Sequence, residues 1–536
     1  MDKRINKTDY ILKELLSTQI KSKNDLMNAK RKIAKSLKIE IPQNSDLLKS
    51  YHKLQKTKRI KENNSFERLL RKRAIRTMSG IAPVAVLTKP YECPGKCAYC
   101  PTEKNVPQSY LSNEPAVMRA IRCNYNPYIQ TQFRLKALEA NGHIPTKIEL
   151  IVIGGTWSYF PKNYKYWYIK ECFRAANDYY HKAPQKKSIT EKSSFKKLKE
   201  ALYSEQKRNE KTKYQIIGLT LETRQDYINE AEVLEMRDLG CTRVELGVQT
   251  TDDKILKLNK RGHENSETIR ATKILKDFGF KVTYHLMPGL PGATPEKDFR
   301  MFQGLFTDEA YQPDQIKFYP TVVTKGSLLY RWWRDGKYKP YTDKQLQDLI
   351  IKCKNFIPSY VRIIRLIRDI PGESIIAGNL ITNLRQIMKD RGVKCSCIRC
   401  REIKDEKYTQ KDIKKDIQIY KASGGQEYFI AYQSADASKL FAFLRLRLNN
   451  KENSTSEFLK DSAIIRELHV YGELVSIGNK KNVQHSGLGL RLLKEAEKIA
   501  KKKSYKKIVV ISGVGVRNYY KKFGYKLSKT YLVKKI

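Results

Sequence analysis

Three cysteines lie close together in the segment CPGKCAYC, which runs from Cys93 to Cys100. A structural zinc site is closed by four ligands, so the three thiolates of Cys93, Cys97 and Cys100 leave one position of a metal centre open. A 4Fe-4S cluster suits this arrangement, because three irons bind the cysteines and the fourth iron stays free for a substrate. Pro94 and Gly95 keep the segment in a loop, which lets the three sulfurs converge. A zinc ion with a distant fourth ligand is the alternative.

A second triplet, in the string CSCIRC, consists of Cys395, Cys397 and Cys400. Closely spaced thiolates in a reducing compartment favour zinc, although the sequence does not reveal a fourth ligand. The triplet does not follow a predicted strand, so we do not expect it to hold a second iron–sulfur cluster. The other four cysteines stand alone and are expected to pack in the core: 123, 172, 241 and 353.

A glycine pair marks a possible anion site in QHSGLGLRLLKEAEKIA, residues 484–500. Gly487 and Gly489 stand at the predicted start of a helix, where free backbone N–H groups and the helix dipole favour a pyrophosphate. The strand RELHVYG precedes the pair, and VVISGVGVRNYYKKFGYK follows it. The pair alone is weak evidence, and Tyr519 and Tyr520 in the last string would serve equally well as core aromatics.

The charge of the chain indicates a polyanionic partner. Its 536 residues include 105 Lys and Arg against 56 Asp and Glu, a net charge of +49. A thermophilic surface would balance lysine with glutamate, and this chain does not. We therefore expect nucleic-acid binding. No apolar run reaches the roughly 20 residues of a membrane helix, and no signal-like segment follows MDKRINKTDY, so a cytoplasmic protein away from membranes is expected.

The elements that position these motifs fall into four predicted segments. Residues 1–75 carry 21 Lys and Arg against 8 Asp and Glu, and the periodicity of YILKELLSTQI and LMNAKRKIAKSLK predicts a basic helical module. A disordered tail is the alternative. Residues 371–424 are predicted to form a connector that contains the second cysteine triplet. Residues 425–536 predict a separate α+β domain, with strands such as EYFIAYQ and LFAFLRLRL.

Residues 76–370 predict a parallel α/β sheet, open or closed as a full or partial barrel. Short apolar strings such as KIELIVIGG, QIIGLTLET and CTRVELGVQ alternate with amphipathic segments. Chemistry in such barrels lies at the carboxyl ends of the strands, where the first triplet falls. Residues 182–213 hold 11 Lys and Arg and 4 Glu with little apolar periodicity, which indicates a solvated basic insertion or a neutral surface loop.

The first triplet, placed after the first strand of this series, resembles the radical S-adenosylmethionine superfamily. That resemblance implies a partial (β/α)6 barrel in which S-adenosylmethionine chelates the free iron. It also implies cofactor contacts from GGT, a glycine turn that lets a ligand approach the backbone, and from LETR, ELGVQ and HLMPG at later strand ends. A strand-end glutamate alone is more often a structural ion pair. The implied residues are Gly154, Gly155, Thr156, Glu222, Arg224, Glu245, Gln249 and His285.

The C-terminal domain resembles the GNAT acetyltransferases, in which a central strand and a glycine loop hold acetyl-coenzyme A. The two domains together, with the strings MRAIRCNYNPYIQTQFR, GGTW, RELHVYG and ISGVGVRNYY, closely resemble the Elongator catalytic-subunit family over about residues 80–536. This implies coenzyme contacts, with catalytic roles for the first cysteine triplet, Lys147, Tyr519 and Tyr520. The implied coenzyme contacts are Lys147, Glu467, Leu468, His469, Val470, Gln484, Gly487, Leu488, Gly489, Leu490 and Tyr520.

The same resemblance implies a radical reaction on the anticodon region of tRNA. A 5′-deoxyadenosyl radical takes hydrogen from the acetyl methyl group, the acetyl radical adds to carbon 5 of the wobble uridine, and thioester hydrolysis leaves 5-carboxymethyluridine. From sequence alone Lys147 would be a solvated lysine at the start of a strand. The sequence does not identify the electron donor. It also does not decide the oligomeric state, for which a homodimer is one alternative. A protein lysine acetyltransferase with the cluster domain as scaffold is the alternative function; intact motifs argue against a vestigial RNA-binding module.

Overall fold

The computed structural model describes residues 7–71, 80–179, 189–381, 383–403, 412–450, 456–472 and 487–536. They form a helical N-terminal module, a parallel sheet covered by helices, and a mixed sheet. None of the helices within these ranges is long and apolar enough to cross a membrane.

The N-terminal module is a small helical bundle with its own apolar core. Ile11, Leu15, Leu47 and Tyr51 are buried in this core because they recur on one face of their helices. The predicted basic helical module is therefore confirmed over the residues described. Its helices are Lys7–Ser17 (α1), Lys23–Ser36 (α2), Asn44–Lys56 (α3) and Asn64–Leu70 (α4).

Seven parallel strands in sequential order build the first sheet. The predicted α/β half-barrel is confirmed, with a seventh strand beyond the six expected. The strands are Ala82–Leu87 (β1), Lys147–Ile153 (β2), Gln215–Thr223 (β3), Arg243–Gln249 (β4), Lys281–Leu286 (β5), Gln315–Phe318 (β6) and Arg362–Arg365 (β7). The helices that follow them are Pro115–Arg122 (α5), Pro127–Ala140 (α6), Lys162–Asp178 (α7), Phe195–Asn209 (α8), Glu230–Asp238 (α9), Asp253–Leu258 (α10), Asn265–Asp277 (α11), Pro295–Thr307 (α12), Leu328–Arg334 (α13) and Asp343–Phe356 (α14).

The two faces of this sheet differ in polarity, because side chains alternate along each strand. In β2 the side chains of Ile148, Leu150 and Val152 are buried in the core formed with the helices. The opposite face carries polar side chains that hydrogen-bond across strands. This polar face, as we call it below, comprises Glu149, Thr220, Arg243, Glu245, Thr283, His285, Gln315 and Lys317.

Part of the segment predicted as a solvated insertion is a packed helix. Helix α8 buries Leu198 and Leu202, which lie four residues apart on one face. Gln206 from the same face donates to the carbonyl of Asp238 at 3.0 Å. The many lysines of α8 therefore occupy its outer side, and the expectation of a solvated loop was wrong for Phe195–Asn209. Residues 182–188 lie outside the described part of the chain.

A mixed sheet of seven strands forms the C-terminal unit. In chain order its strands are Lys414–Ala422 (β8), Gly425–Gln433 (β9), Leu440–Asn449 (β10), Ser462–Val470 (β11), Lys507–Val510 (β12), Lys526–Ser528 (β13) and Tyr531–Lys535 (β14). They lie in the sheet in the order β13-β14-β12-β11-β10-β9-β8. Only β11 and β12 run parallel among its paired neighbours, which confirms the α+β expectation. Its first strand begins at Lys414, within the segment predicted as the connector. The remaining helices are Leu384–Asp390 (α15), Ile398–Arg401 (α16), Leu488–Lys502 (α17) and Arg517–Lys521 (α18).

A buried ion cluster joins the two sheets at the amino end of β6. The carboxylate of Asp314 accepts two bonds from Arg466, at 2.8 and 2.5 Å, and lies 3.7 Å from Lys276 and 3.5 Å from Arg445. Burial alone would raise the pKa of Asp314, but the surrounding cations hold that pKa well below its usual range. Glu427 accepts from Arg466 at 3.0 Å on the other side. We call this set the Asp314 cluster.

Backbone packing brings the two sheets still closer. A Cβ atom on Gly513 would lie 1.9 Å from the carbonyl oxygen of Ile217 in β3. The loop after β12 therefore rests directly on the backbone of the parallel sheet, and only glycine fits there.

Asp314→Asn is expected to lower the free energy of unfolding by about 3–5 kcal/mol, because it leaves buried cations without their counter-charge. Denaturant unfolding followed by circular dichroism measures the loss. Asp46→Asn is the control, since Asp46 faces Lys49 at 3.8 Å on an exposed helix surface, where an ion pair contributes about 0–1 kcal/mol. Equal small losses in both variants would contradict a structural role for the Asp314 cluster.

Candidate active site

The first cysteine triplet lies in the loop after β1, at the carboxyl edge of the parallel sheet. Cys97 is buried, whereas Cys93 and Cys100 are partly exposed. Ala98 holds the loop from two sides: its N–H donates to the carbonyl of Asn259 at 3.0 Å, and its carbonyl accepts from Leu329 at 2.8 Å. The loop is therefore fixed by backbone bonds from two later segments of the chain.

Arg261 supplies positive charge to this loop. Its Nη1 donates to Cys97 Sγ at 3.2 Å, and its Nη2 donates to the carbonyl of Gly247 in β4. A hydrogen bond from Cys100, together with Arg261, lowers the pKa of the Cys97 thiol well below its usual value. At Cys97 the loop thus favours the thiolate form that ligates iron, whereas the hydrogen bond with Cys97 and burial raise the pKa of the Cys100 thiol.

The spacing of the sulfurs distinguishes the two triplets. Within the described ranges, only Cys395, Cys397 and Cys400 bring all their sulfurs within 4.8 Å of one another, as a single ion requires. The triplet at 93–100 is wider, and Arg261 donates a charged hydrogen bond to the sulfur of Cys97. These features fit a multi-iron cluster held by three thiolates.

The glycine turn after β2 faces the cysteine loop. Gly154 has φ of +112°, and a Cβ there would lie 2.4 Å from Thr88 Oγ1, so a side chain is excluded. Gly155 follows with φ of +27°. Thr156 Oγ1 lies 3.7 Å from Cys93 Sγ. The turn therefore presents bare backbone beside the loop, as the sequence predicts for a close ligand.

Strands β3 to β5 bring three predicted residues into one hydrogen-bonded group. His285 lies between two carboxylates: its Nε2 is 2.8 Å from Glu245 Oε2, and its Nδ1 is 3.3 Å from Glu222 Oε1. Burial opposes ionisation of Glu245, yet contact with Lys317 and His285 keeps the pKa of Glu245 well below its usual value. Tyr110 donates to Glu222 at 3.3 Å.

Two other predicted residues take different positions. Gln249 has φ of +69° at the end of β4, and its buried Oε1 has no partner among the described residues. An unsatisfied buried amide oxygen at this edge is suited to a polar ligand. Arg224 turns toward the cysteine loop instead: it pairs with Asp226 at 2.8 Å, donates to the carbonyl of Arg261 at 2.9 Å and lies against Gly95.

A cavity of about 450 Å³ lies at the opposite, amino edge of the parallel sheet. Both domains form its walls, and most of the predicted coenzyme residues line it. Leu488 is an exception, because its side chain is buried in the core of the mixed sheet. Gln484 lies outside the described residues. The predicted residues that line the cavity are Lys147, Glu467, Leu468, His469, Val470, Gly487, Gly489, Leu490, Tyr519 and Tyr520.

Burial shifts the pKa values of one lysine and two tyrosines that line this cavity. Burial lowers the pKa of Lys147 to about 8. Because this pKa is still above 7, the ammonium group remains largely charged at pH 7. Burial raises the pKa of Tyr519 to about 12 and that of Tyr520 further, so both hydroxyls remain protonated. A Cβ on Gly489 would lie 2.4 Å from Tyr519 Oη, so glycine lets the hydroxyl approach the first turn of α17.

The polar face extends from this cavity toward the carboxyl edge of the sheet, where the cysteine loop lies. Strand β4 has seven residues, so the two edges are about 20 Å apart at a rise of ~3.3 Å per residue. Arg243 lies 3.3 Å from Glu149 at the cavity and 3.8 Å from Glu245, which contacts His285 at the far edge. A continuous chain of charged side chains therefore runs from the cavity to His285 near the carboxyl edge.

Arg261, Lys317 and Arg243 also contact residues of the candidate site, although no sequence motif predicted them. Arg243 and Lys317 could have been found from the sequence, because each is a charged residue within a predicted apolar strand. Both side chains are buried in the structure. Arg261 could not have been found in this way, because it lies in a loop and reaches Cys97 from 164 residues away.

Comparisons with known families agree with this architecture. The radical SAM superfamily matches residues 89–302, a radical SAM C-terminal domain matches 313–392, and the acetyltransferase (GNAT) family matches 397–525. Fold and sites together thus define a radical SAM protein that carries a GNAT domain. The chain is 41% identical over 550 residues to a "tRNA uridine(34) acetyltransferase" of Methanocaldococcus infernus, covering 98% of each protein. It therefore belongs to the tRNA uridine(34) acetyltransferase family.

Two further relatives support this membership. The human "Elongator complex protein 3" is 36% identical over 490 residues, which cover 87% of this chain and 86% of that protein. A solved structure of the archaeal Methanocaldococcus infernus Elp3 with an N-terminal deletion is 38% identical, with a TM-score of 0.72. That match covers 85% of this chain and 99% of the solved one.

Arg261→Gln is expected to weaken iron retention by about 10-fold or more, in the range found when a group that supports metal ligands is removed. The measurement is the rate of iron loss to a chelator after anaerobic reconstitution. Lys260→Gln is the control, because this substitution removes the same charge from the neighbouring residue, whose side chain is exposed. Equal rates of iron loss in both variants would show that Arg261 has no special role.

Proposed function

We propose that this chain is an enzyme that modifies the wobble uridine of tRNA, uridine 34, using a radical reaction and acetyl-coenzyme A. The curated relatives are named for acetyltransferase activity on that uridine. One observation carries the proposal: a cysteine loop suited to a 4Fe-4S cluster and a cavity suited to a coenzyme are linked by a polar face within one chain. The product, after hydrolysis of the thioester, is 5-carboxymethyluridine.

The residues at the carboxyl edge would hold the first cofactor pair. When bound, a 4Fe-4S cluster and S-adenosylmethionine supply one-electron abstraction of hydrogen from a carbon. Cys93, Cys97 and Cys100 would ligate the cluster. The backbone of Gly154 and Gly155 and the amide of Gln249 would orient the methionine and ribose groups of the second ligand.

The residues around the amino-edge cavity would hold acetyl-coenzyme A. The free N–H groups that open α17 after Gly487 suit its pyrophosphate, and the edge of β11 at Glu467–Val470 suits its pantetheine amides. Tyr519 and Tyr520 remain protonated, so they can donate hydrogen bonds to the thioester carbonyl and orient it. Lys147 offers a cation from the parallel sheet.

The two sites lie about 20 Å apart, at a rise of ~3.3 Å per strand residue. To reach the carboxyl edge, the acetyl group would therefore have to move along the polar face. Arg243, Glu149 and Gln315 line both the cavity and this face. Their hydrogen-bonding groups can replace water around the extended pantetheine arm. We therefore place the arm beside Arg243, with its acetyl end directed toward His285.

We also propose a structural zinc at Cys395, Cys397 and Cys400, whose sulfurs lie within 4.8 Å of one another. Cys400 is exposed, so a fourth ligand can enter from that side. The site would fix the connector beside β7, where the Ile398 N–H already donates to the carbonyl of Val361 at 2.9 Å. None of the ten cysteines, all of which lie in the described ranges, forms a disulfide bond, which agrees with a cytoplasmic location.

The proposed function is tested by anaerobic reconstitution with reductant, S-adenosylmethionine, acetyl-coenzyme A and bulk tRNA, followed by mass spectrometry of nucleosides. We expect 5-carboxymethyluridine from the native protein and none from Cys97→Ser. Formation of 5′-deoxyadenosine without a modified nucleoside would reassign the substrate. Acetylated protein that persists in Cys97→Ser would favour a protein lysine acetyltransferase instead.

The affinity for acetyl-coenzyme A is expected to fall by about 10-fold between pH 7 and pH 9, as a charge-assisted hydrogen bond is lost. Lys147 has a pKa of about 8, lowered by burial, so its cation is present below pH 8 and lost above it. Calorimetric titration at several pH values measures this change. Lys147→Arg should bind equally at both pH values, and Lys147→Gln weakly at both. A flat profile in the native protein would exclude Lys147 as the cation.

A further inference from the structure

A second cavity lies near the cysteine loop and has no part in the reaction described above. Its volume is about 360 Å³, and the loop after β5 and the segment after α13 form its walls. The lining combines an exposed leucine, three aromatic rings and two lysines. These residues are Leu258, Trp332, Tyr338, Tyr341, Lys337 and Lys339.

Hydrogen bonds hold the tyrosine walls of this cavity in place. Tyr338 Oη donates to the carbonyl of Gly289 at 2.7 Å. Tyr341 Oη donates to Asp298 at 2.8 Å, and the same carboxylate accepts the N–H of Gly289 at 2.8 Å. A Cβ on Gly289 would lie 3.3 Å from the Tyr341 ring, so the loop and the ring are in close contact. The cavity is therefore preformed, which lowers the entropic cost of binding.

The cavity is adjacent to the loop that carries the first cysteine triplet. Leu258 precedes Asn259, whose carbonyl accepts the N–H of Ala98 at 3.0 Å. Trp332 packs in the same apolar cluster as Cys97 and Cys100. A molecule bound in this cavity would thus lie beside the proposed radical site.

The segment RWWRDGKYK, residues 331–339, is basic as well as aromatic. Four cations of this segment are exposed: Arg331, Arg334, Lys337 and Lys339. Lys337 and Lys339 form no ion pair with another residue of the described ranges. Exposed cations beside flat aromatic rings suit phosphates and the faces of unpaired bases.

From these contacts we infer that the second cavity is a nucleobase subsite for single-stranded RNA. An unpaired base next to the modified uridine stacks against Trp332, and the flanking phosphates lie against Lys337 and Lys339. A base inside a duplex is already stacked and paired, so the occupant comes from a loop. This inference rests on the proposed function, because it names where that RNA substrate is held.

The phosphate contacts are tested with a short unpaired oligoribonucleotide by fluorescence anisotropy at several salt concentrations. The double variant Lys337→Ala/Lys339→Ala should lower the slope of log Kd against log salt by about 1.4, since each single-stranded phosphate contact contributes about 0.7. Both lysines are exposed, so the variant should fold. Lys501→Ala/Lys502→Ala removes the same charge from the exposed end of α17 and should leave the slope unchanged.

The stacking contact is tested with Trp332→Ala, Trp332→Phe and the same oligonucleotide. Trp332→Ala should raise Kd by about 10-fold, as the loss of one stacking ring does, and Trp332→Phe should restore most of the affinity. An abasic oligonucleotide should bind the native protein and Trp332→Ala alike. Iron content and circular dichroism identify variants that have lost the fold.

Three results overturn the inference: equal slopes for both lysine pairs, equal affinity of Trp332→Ala and the native protein, or displacement of the oligonucleotide by an acidic peptide. The proposed function fails separately, if the native protein modifies no tRNA while the oligonucleotide binds as expected. Native tRNA modification together with unchanged oligonucleotide binding in all variants would leave the proposed function standing and remove only the subsite.

Discussion

The Asp314 cluster is the interaction on which the arrangement of the two sheets depends. Asp314 belongs to the parallel sheet, while Arg466 and Arg445 belong to the mixed sheet, and all three are almost completely buried. Separation of the sheets would leave each of these charges without its partner, at a cost of several kcal/mol per ion inside the protein. Arg445 and Arg466 also line the amino-edge cavity. The charges that join the sheets therefore also fix the walls of the proposed coenzyme site.

The polar face places a second demand on the fold. Buried polar groups are tolerated when they are hydrogen-bonded, and Arg243 meets this condition through Thr220 at 2.8 Å and Gln315 at 3.3 Å. Alternation along each strand separates this network from the apolar side that faces the helices. The sheet can therefore combine a stable core with a row of charged side chains between the two candidate sites.

Local patterns were sufficient to predict the class of the fold and several of the segments that the structure brings to the two candidate sites. The cysteine spacing, the glycine turn after β2 and the glycine pair before α17 are each encoded within a few consecutive residues. Helix α8 was missed because its lysines obscure the spacing of Leu198 and Leu202. The contact of Arg261 with Cys97 and the cavity between the sheets arise from segments far apart in sequence, and no short pattern reports such a contact.

The amino-edge cavity has a thermodynamic consequence because its walls come from both sheets. A ligand that needs both walls binds only while the sheets are docked, so its binding free energy adds to the free energy of docking. Ligand concentration would then govern the cooperativity of the whole chain. At high coenzyme levels the two domains should melt as a single unit, and at low levels the weaker domain can open first. If the cavity holds the proposed coenzyme, its metabolic supply would thereby be coupled to the lifetime of the folded protein.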